Sequence, residues 1–485
     1  MTPSWPTGHT WISTACGECT TRFLSVALLA AGLVPAQDSP PVPRTQSQPG
    51  QNQGSDDSDT QDVDQPNLAS AGPSLLSRDN GLLAQRGGKL IDLRLYGEIT
   101  GVYDSALAPA PSQNAPGKAL PDYGIESGAG VIGTRSWRHA RLSLEYKGRF
   151  VQYARDSLLN GSDQFLDLAY SQFLRPHLTL DVKTIAGTTT LANGEFSYLP
   201  LTDTDLFALP ANELFDSRTN YVEPRVGITW QKTSRLSFEA DAEGFVVRRQ
   251  YLALAGLNGY SARAGAAYRL TRRQTVGATY QQTHFAFQRI FGDARLETVA
   301  LDYSIALSRT LDLEIQIGGS RLNTSGLAEV SLDPAIAAIV GQNVAIVTFS
   351  RMLYVPLEAA RLVRRFNHSS IIVSFSSGIS PGNGVYLTSR QTEATAGFSY
   401  TGARRFTAAL NAGYTRLATL GQTLPLYSNL MGGGGMTYRL SGDAYLELRY
   451  DYRHFSTQNQ FYNLDSNRVS LGMAFSPGAT PLAIW

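Results

Sequence analysis

Alternation of apolar and polar residues is the strongest pattern in the chain. It begins at Lys89, and the apolar positions of the first segment are Ile91, Leu93, Leu95, Gly97 and Ile99. It returns near the end, where the apolar positions are Leu446, Leu448, Tyr450 and Tyr452. A period of two places alternate side chains on opposite faces of a β-strand. The pattern therefore predicts an all-β protein whose strands have one apolar and one polar face.

Short turns rich in Arg, Ser and Thr separate these segments at a nearly constant spacing. They fall at 136–138, 175–177, 232–234, 271–273, 308–310, 364–366, 402–404 and 441–443. The spacing is roughly 38 residues, apart from two gaps of about 56, and a fixed period is the mark of a repeated unit. The repeated unit is interpreted as a long β-hairpin.

About eighteen strands follow from counting two strands for each hairpin. The predicted ranges are 89–103, 122–134, 139–155, 163–174, 177–189, 221–231, 235–248, 259–270, 274–288, 294–307, 310–322, 350–363, 367–379, 389–401, 405–418, 427–440, 444–456 and 465–475. The least regular are 122–134, which is rich in glycine, and 350–363, which contains Pro356. An even count requires both, and it places the two ends of the sheet on the same side of a membrane.

Strand length and turn asymmetry favour a membrane barrel over a soluble β-sandwich. The predicted strands are about 12 to 15 residues long, enough to cross a bilayer when tilted. The turns on one side are short and those on the other vary widely, as expected of periplasmic turns and outer loops. Aromatic residues on the apolar face would suit the membrane interface, and they are Tyr103, Tyr146, Trp230, Tyr268, Tyr303, Tyr400, Tyr414 and Tyr438. We therefore expect a transmembrane antiparallel up-and-down β-barrel in an outer membrane.

The region before the strands divides into two expected segments. Residues 1–36 are interpreted as a signal peptide, with Arg22 before an apolar run at Phe23–Val34 and a small-residue cleavage site ending at Ala36. Residues 37–88 are rich in Gln, Asp, Ser and Pro and are predicted to be a disordered periplasmic segment. This segment is either a spacer or the binding site of a periplasmic partner. The barrel is assigned to 89–476 and a C-terminal tail to 477–485.

Composition adds few constraints on function. Charged residues make up 17% of the chain and the formal net charge is +1, so no attraction to nucleic acid is indicated. The two cysteines, Cys16 and Cys19, precede the apolar run and would be removed with the signal peptide. The mature chain would then contain none.

Two predicted outer loops are long enough to control access to the interior. They are Leu191–Asn220 and Asn323–Asn343. In the second, Asp333 and Pro334 precede an apolar run that ends at Gly341, which predicts a short helix. These loops are candidates for gating or selectivity, or are a surface cover without a partner.

Charged residues on the polar face are the candidate lining of an aqueous lumen. They are Arg94, Glu98, Arg141, Glu145, Lys147, Arg149, Glu239, Asp241, Glu243, Asp312, Glu314, Glu447, Arg449, Asp451 and Arg453. One strand carries a basic stripe of Arg141, Lys147 and Arg149, and another carries an acidic stripe of Glu239, Asp241 and Glu243. Opposed stripes would orient polar solutes in a transverse field. The alternative is a set of ion-paired ladders that serve solubility and strand register.

No pattern indicates catalysis. His368 with Ser369 and Ser370 is the one suggestive cluster, and neighbours along a strand point to opposite faces. No phosphate-binding loop, dinucleotide fingerprint or metal motif is present in the sequence. We expect no enzyme activity, no cofactor and no metal.

The region from Arg365 to Trp485 resembles a family of large bacterial outer-membrane β-barrel proteins, and the similarity extends upstream through Ser136-Trp137-Arg138. The segments that carry it are 366–370, 381–390, 412–414, 449–453 and 475–478. These segments are structural signatures, so the resemblance implies no catalytic residue, and it permits a link to exopolysaccharide export. The last strand is similar to the terminal signal read by the barrel-assembly machinery, with either Phe475 or Trp485 as the recognised aromatic residue.

Together these patterns predict a porin-like outer-membrane channel that passes polar solutes, or an exported polysaccharide, through a charged lumen. The alternative is a non-conducting surface barrel whose outer loops bind a partner. The implied partners are outer-membrane lipid and the assembly machinery. The sequence leaves open the solute, the oligomeric state, the start codon, and whether the lumen is open or plugged.

Overall fold

A computed structural model describes residues 92–107, 120–155, 160–190, 217–333, 339, 341–403, 405–420, 424–457 and 463–476. The chain divides into two units, Met1–Asp62 and Val63–Trp485, and every described residue belongs to the second. The expected signal peptide (1–36), disordered segment (37–88) and tail (477–485) lie outside the described residues.

The described residues form eighteen β-strands with short connections at one end. They are β1 (Asp92–Leu107), β2 (Leu120–Ser136), β3 (Ala140–Tyr153), β4 (Gly161–Arg175), β5 (Leu178–Thr189), β6 (Thr219–Gln231), β7 (Leu236–Arg249), β8 (Gly256–Arg269), β9 (Gln274–Gln288), β10 (Gly292–Ala306), β11 (Leu311–Ser331), β12 (Val344–Arg365), β13 (Ser369–Ser380), β14 (Ser389–Tyr400), β15 (Phe406–Thr419), β16 (Tyr427–Arg439), β17 (Ala444–Thr457) and β18 (Asn463–Phe475). The two least regular predictions, 122–134 and 350–363, correspond to β2 and β12.

The sheet closes on itself. Each strand pairs antiparallel with the next along the chain. The last strand, β18, pairs with β1 from Gly97 opposite Phe475 to Asp104 opposite Arg468. The predicted fold, a barrel of eighteen antiparallel strands, is therefore confirmed. The eight short turns, the start of β1 and the end of β18 all lie at one end, called the short-turn end, and the opposite end is the long-loop end.

The convex outer surface of the barrel is apolar. Ile99 on β1, Leu301 on β10 and Leu471 on β18 are more than half exposed. Six of the eight predicted interface aromatics are also exposed, namely Tyr103, Tyr146, Trp230, Tyr268, Tyr414 and Tyr438. An outer surface with this many exposed apolar side chains is suited to contact with lipid hydrocarbon. Exposed aromatic rings are typical of the membrane–water interface. Among the described residues, no helix is long and apolar enough to cross a bilayer.

Two strands are much longer than the sequence predicted. β11 has 21 residues and β12 has 22, and they pair from Leu311 opposite Arg364 to Ser331 opposite Val344. The predicted loop Asn323–Asn343 is therefore wrong, because its first nine positions, 323–331, continue β11. The alternation was hidden because Asn323 and Ser325 are polar although they lie on the outer face. Of the predicted helix and its caps, Asp333, Ile339 and Gly341 are described, and Gly341 has a φ of 72°, as expected of a C-cap glycine.

Candidate functional site

One side of the barrel interior is lined by packed apolar side chains. Phe165, Phe245, Phe285 and Leu322 come from β4, β7, β9 and β11, and they form one buried cluster with Tyr221 and residues of neighbouring strands. Side chains from strands that are not adjacent meet only on the concave face of a sheet, so this cluster lies inside the barrel. Its residues lie towards the long-loop end of their strands. We call this cluster the apolar wall.

The other side of the interior carries a compact set of buried ion pairs. Arg149 on β3 lies 3.2 Å from Glu126 on β2 and 3.6 Å from Asp163 on β4. Arg468 on β18 also pairs with Glu126. Arg453 on β17 lies 3.6 Å from Asp104 on β1.

All six side chains are at most 8% exposed, so they compensate one another with little help from water. Asp104 also accepts a hydrogen bond of 2.6 Å from the Ser466 hydroxyl. We call these six residues, on β17, β18 and β1–β4, the charged wall.

A connection at the long-loop end folds into the barrel between these walls. It joins β13 to β14 and comprises residues 381–388, here called the inward loop. Asn383, Tyr386, Leu387 and Thr388 are buried, although a surface loop would normally be exposed. Within the loop, the Asn383 side chain accepts hydrogen bonds from the backbone N–H groups of Val385 and Tyr386, which closes a tight turn.

Two glycines allow this turn. Gly382 and Gly384 have φ values of 78° and 88°, a region that residues with a Cβ rarely adopt. A Cβ on Gly382 would overlap the carbonyl oxygen of Tyr386. A Cβ on Gly384 would lie 2.9 Å from the side chain of Arg249 on β7. The path of the loop therefore depends on glycine at both positions.

The inward loop contacts strands on several sides of the barrel. The carbonyl of Gly384 accepts a hydrogen bond of 3.0 Å from the N–H of Ala255, in the β7–β8 connection. The Thr324 hydroxyl on β11 donates to the Thr388 hydroxyl at 3.4 Å. The carbonyl of Thr388 accepts a hydrogen bond of 3.0 Å from the N–H of Leu420, beside β15. Since β8 and β14 are six strands apart, the loop crosses the interior.

Tyr386 anchors the loop to a second apolar cluster. Its ring lies 5.5 Å from that of Tyr427 on β16, which in turn lies 6.2 Å from Phe455 on β17. Burial raises the pKa of the Tyr386 phenol. Leu417, Leu464 and Ala106 complete the cluster. The inward loop is thus held by packing on one side of the barrel and by backbone hydrogen bonds on the other.

The structure places the predicted charged residues on the inner face with specific neighbours. Lys147 lies 3.4 Å from Glu98, Arg449 lies 2.7 Å from Asp451, and Glu314 lies 3.8 Å from Arg361. Asp312 pairs with Arg365. Arg94, Arg141, Glu145, Glu243 and Glu447 alternate with outward residues on the same strands.

Both predicted stripes are paired with charges on neighbouring strands. In the acidic stripe, Glu239 lies 3.1 Å from Arg263, and Asp241 lies 3.2 Å from Arg225 and 3.7 Å from Arg263. In the basic stripe, Lys147 and Arg149 face Glu98, Glu126 and Asp163. These contacts favour the ion-paired ladder over a strong field across the barrel.

Four of the six residues of the charged wall were missed by the sequence analysis: Asp104, Glu126, Asp163 and Arg468. Asp104 lies one residue beyond the predicted end of the first strand, and the other three lie at or inside predicted strands. The inward loop was also missed, because the sequence predicted that the two longest loops would control access to the interior. Of these, residues 191–216 lie outside the described residues. The sequence contains one compatible feature, because 381–389 contain no charged residue and charged residues are rarely fully buried.

His368, Ser369 and Ser370, the cluster considered for catalysis, are not brought together in one site. His368 is exposed in the turn between β12 and β13, and the Ser370 hydroxyl bonds to that of Ser399 at 2.7 Å. Among the described residues, no group of three or more His, Cys, Asp or Glu side chains is placed to hold a metal ion. The exposed outward Phe475 remains a candidate assembly signal, and Trp485 lies outside the described residues.

Comparisons with known proteins give only distant likenesses. No family model matches the chain, and no curated protein matches it. Among solved structures, the Pseudomonas aeruginosa protein OccK5 (OpdH) is 11% identical, with a TM-score of 0.39, and the match covers 80% of this chain and 98% of that one.

A BenF-like porin from Pseudomonas fluorescens Pf-5 is 10% identical, with a TM-score of 0.41, over 80% of this chain and 100% of that one. OccAB1 of Acinetobacter baumannii is 11% identical, with a TM-score of 0.38, over 81% and 98%. We draw no conclusion about this chain from likenesses at these TM-scores.

The class of protein follows from the barrel itself. A closed antiparallel sheet satisfies every backbone hydrogen bond within the wall, and its outer face is apolar while its inner face carries charge. These are the properties of a transmembrane β-barrel. The protein is an outer-membrane β-barrel.

Proposed function

We propose that this protein is a porin-like outer-membrane channel for small polar solutes, narrowed at the long-loop end by the inward loop. The observation that carries the proposal is the crossing of the interior by residues 381–388, with contacts at Ala255, Thr324 and Tyr427. Long loops that enter a wide barrel restrict what passes through it.

A polar route is supported by the inner face near the short-turn end. The side chains of Glu239, Glu314 and Lys183 are 44%, 58% and 34% exposed, although they face inwards. Inward charges that remain accessible indicate water in this part of the barrel. Hydroxyl pairs such as Ser374 with Thr395 and Thr298 with Ser320 line neighbouring strands. Both kinds of group can exchange hydrogen bonds with a passing polar solute.

Small solutes fit this arrangement better than an exported polysaccharide. A polymer needs an open path along the whole lumen. The inward loop and the fully buried Phe285, Tyr427 and Phe455 instead occupy the half of the barrel interior at the long-loop end. Liposome swelling with sugars of increasing size would separate these substrates. Entry of monosaccharides with exclusion of long oligosaccharides supports the small-solute channel, and equal entry of both contradicts it.

The direct test is single-channel conductance of the full chain in planar bilayers. We expect conductance in the wild type and a several-fold increase in Tyr386→Ser/Leu387→Ser, because the loop loses its apolar anchors. The matched control is Leu252→Ser, in the β7–β8 connection, since Leu252 is 77% exposed. This control should conduct like the wild type.

A non-conducting surface barrel is the second candidate. It is favoured by the burial of the apolar wall, which leaves little water beside Phe285 or Leu322. Absence of conductance in both the wild type and the Tyr386→Ser/Leu387→Ser variant, each shown to be folded, would support this candidate and contradict the channel.

A further inference from the structure

Positive charge is concentrated on the short turns. Seven of the eight turns contain or directly adjoin basic residues. Apart from Arg365, which pairs with Asp312, those that the structure describes are Arg135, Arg138, Arg175, Lys232, Arg235, Arg272, Arg273, Arg309, Arg364 and Arg405. We call these ten residues the basic rim. The same turns contain one acidic residue, Asp443. The whole chain has a formal charge of +1, so the rim is a local accumulation.

The rim charges are available to a partner. Eight of the ten side chains are exposed, and the other two stack on exposed aromatic rings. The guanidinium of Arg135 lies 4.8 Å from the ring of Trp137, and that of Arg364 lies 4.7 Å from the ring of Phe366. Asp312, an acidic residue near this end, pairs instead with the inward Arg365.

The position of the rim relative to the membrane identifies the chemistry that it meets. Short turns lie on the periplasmic side of an outer-membrane barrel, and exposed aromatic rings mark the headgroup level. Trp230, Tyr268 and Tyr438 lie at this end of the outer surface. Guanidinium groups bind phosphate oxygens through paired hydrogen bonds, and an anionic surface attracts each of them further.

We propose that the basic rim binds anionic phospholipid headgroups of the periplasmic leaflet, forming a ring of lipid around the barrel. The rim follows seven of the eight turns, so its partner must be available around the whole circumference. Lipid meets this requirement without a specific docking orientation. The proposal does not depend on whether the barrel conducts.

The acidic run of the chain itself, at 56–64, is the competing occupant. Its nine residues span at most about 30 Å when fully extended. Eighteen strands spaced about 4.8 Å apart give a circumference of at least about 85 Å. The run could therefore cover about a third of the rim, which favours lipid.

Lipid selectivity of the full chain in phosphatidylcholine nanodiscs tests the proposal. The association of spin-labelled phosphatidylglycerol with the protein is compared with that of spin-labelled phosphatidylcholine. The rim variant is Arg138→Gln/Arg272→Gln/Arg273→Gln/Arg309→Gln. The matched control is Arg248→Gln/Arg295→Gln/Arg321→Gln/Arg416→Gln, which removes four exposed arginines near the long-loop end. Circular dichroism establishes that each variant is folded.

We expect phosphatidylglycerol to associate with the wild type about fivefold more strongly, the factor that one basic residue near an anionic surface supplies. The preference should fall in the rim variant, which keeps six of the ten rim residues, and should stay at the wild-type value in the control. Equal association of both lipids with the wild type, or an equal loss in the control, would overturn the proposal.

A third variant addresses the acidic run, Asp56→Asn/Asp57→Asn/Asp59→Asn/Asp62→Asn/Asp64→Asn. Lipid binding predicts the same preference as in the wild type. If a preference appears only in this variant, the acidic run occupies the rim and the proposal is wrong.

Discussion

The apolar wall and the charged wall line the same barrel but are stabilised in different ways. Phe285, in the apolar wall, is fully buried among apolar side chains. It stabilises the folded barrel through burial and close packing. Arg468, in the charged wall, is also buried, but its charge is balanced by Glu126. A packed apolar group tolerates loss of a neighbour at the cost of a cavity, whereas a buried charge that loses its partner remains uncompensated. The comparison indicates that the apolar wall is stabilised by packing, whereas the charged wall is stable only while its buried charges stay paired.

The largest expected effect on stability is that of Phe285→Ala. It should lower the free energy of unfolding by about 4 kcal/mol, because a large cavity replaces a fully buried ring. Equilibrium unfolding by urea in lipid vesicles measures the change. Phe291→Ala is the matched control, since Phe291 is 57% exposed in the β9–β10 connection. Equal losses for the two variants would contradict the packing assigned to the apolar wall.

The next effect is that of Arg468→Met, with an expected loss of about 3 kcal/mol as Glu126 loses one of its two buried cations. The double variant Glu126→Gln/Arg468→Met should be more stable than the sum of the single losses predicts, because the two groups interact. Arg321→Met is the control, and the loss of its exposed pair with Glu297 should cost less than about 1 kcal/mol. Additive effects of Glu126 and Arg468 would show that the charged wall is not a coupled network.

The smallest effect is on ion selectivity, from Arg263→Gln. This change leaves Glu239 and Asp241 with one fewer cation, at distances of 3.1 and 3.7 Å, so the channel should become more selective for cations. The measurement is the reversal potential in a KCl gradient. Arg263→Lys keeps the charge and should leave the reversal potential unchanged. A shift towards anions in Arg263→Gln would contradict the role given to the acidic stripe.

The fold could be predicted from the sequence because period-two alternation and short turns are local signals. Both signals recur in every hairpin. The predicted number of eighteen strands was therefore correct, although β2 is rich in glycine and β12 contains Pro356. The signal failed beyond the apolar band. In the last part of β11, Asn323 and Ser325 are polar although they lie on the outer face. The difference in polarity between the two faces of the strand is therefore lost.

The candidate site was only partly predictable for a different reason. Alternation assigns Arg149 and Arg453 to the inner face, but it gives no information about which strands approach across the barrel. The pairing of Glu126 with Arg468 depends on closure between β18 and β1, because these two residues are 342 positions apart in the chain. The inward loop depends on backbone conformation at Gly382 and Gly384. Neither is a periodic property of the sequence.

The most direct test of the central claim, that the inward loop narrows the interior, is to lock the loop in place. Thr324→Cys/Thr388→Cys would join β11 to the loop, since the two hydroxyl oxygens are 3.4 Å apart, and a disulfide requires closely spaced Cβ atoms. Cys16 and Cys19 are replaced by Ser, so that the new pair is alone. In planar bilayers, we expect the oxidised variant to hold a low, steady conductance and the reduced variant to fluctuate to higher levels. A high conductance that is the same in both states, with the disulfide shown to have formed, would contradict the account.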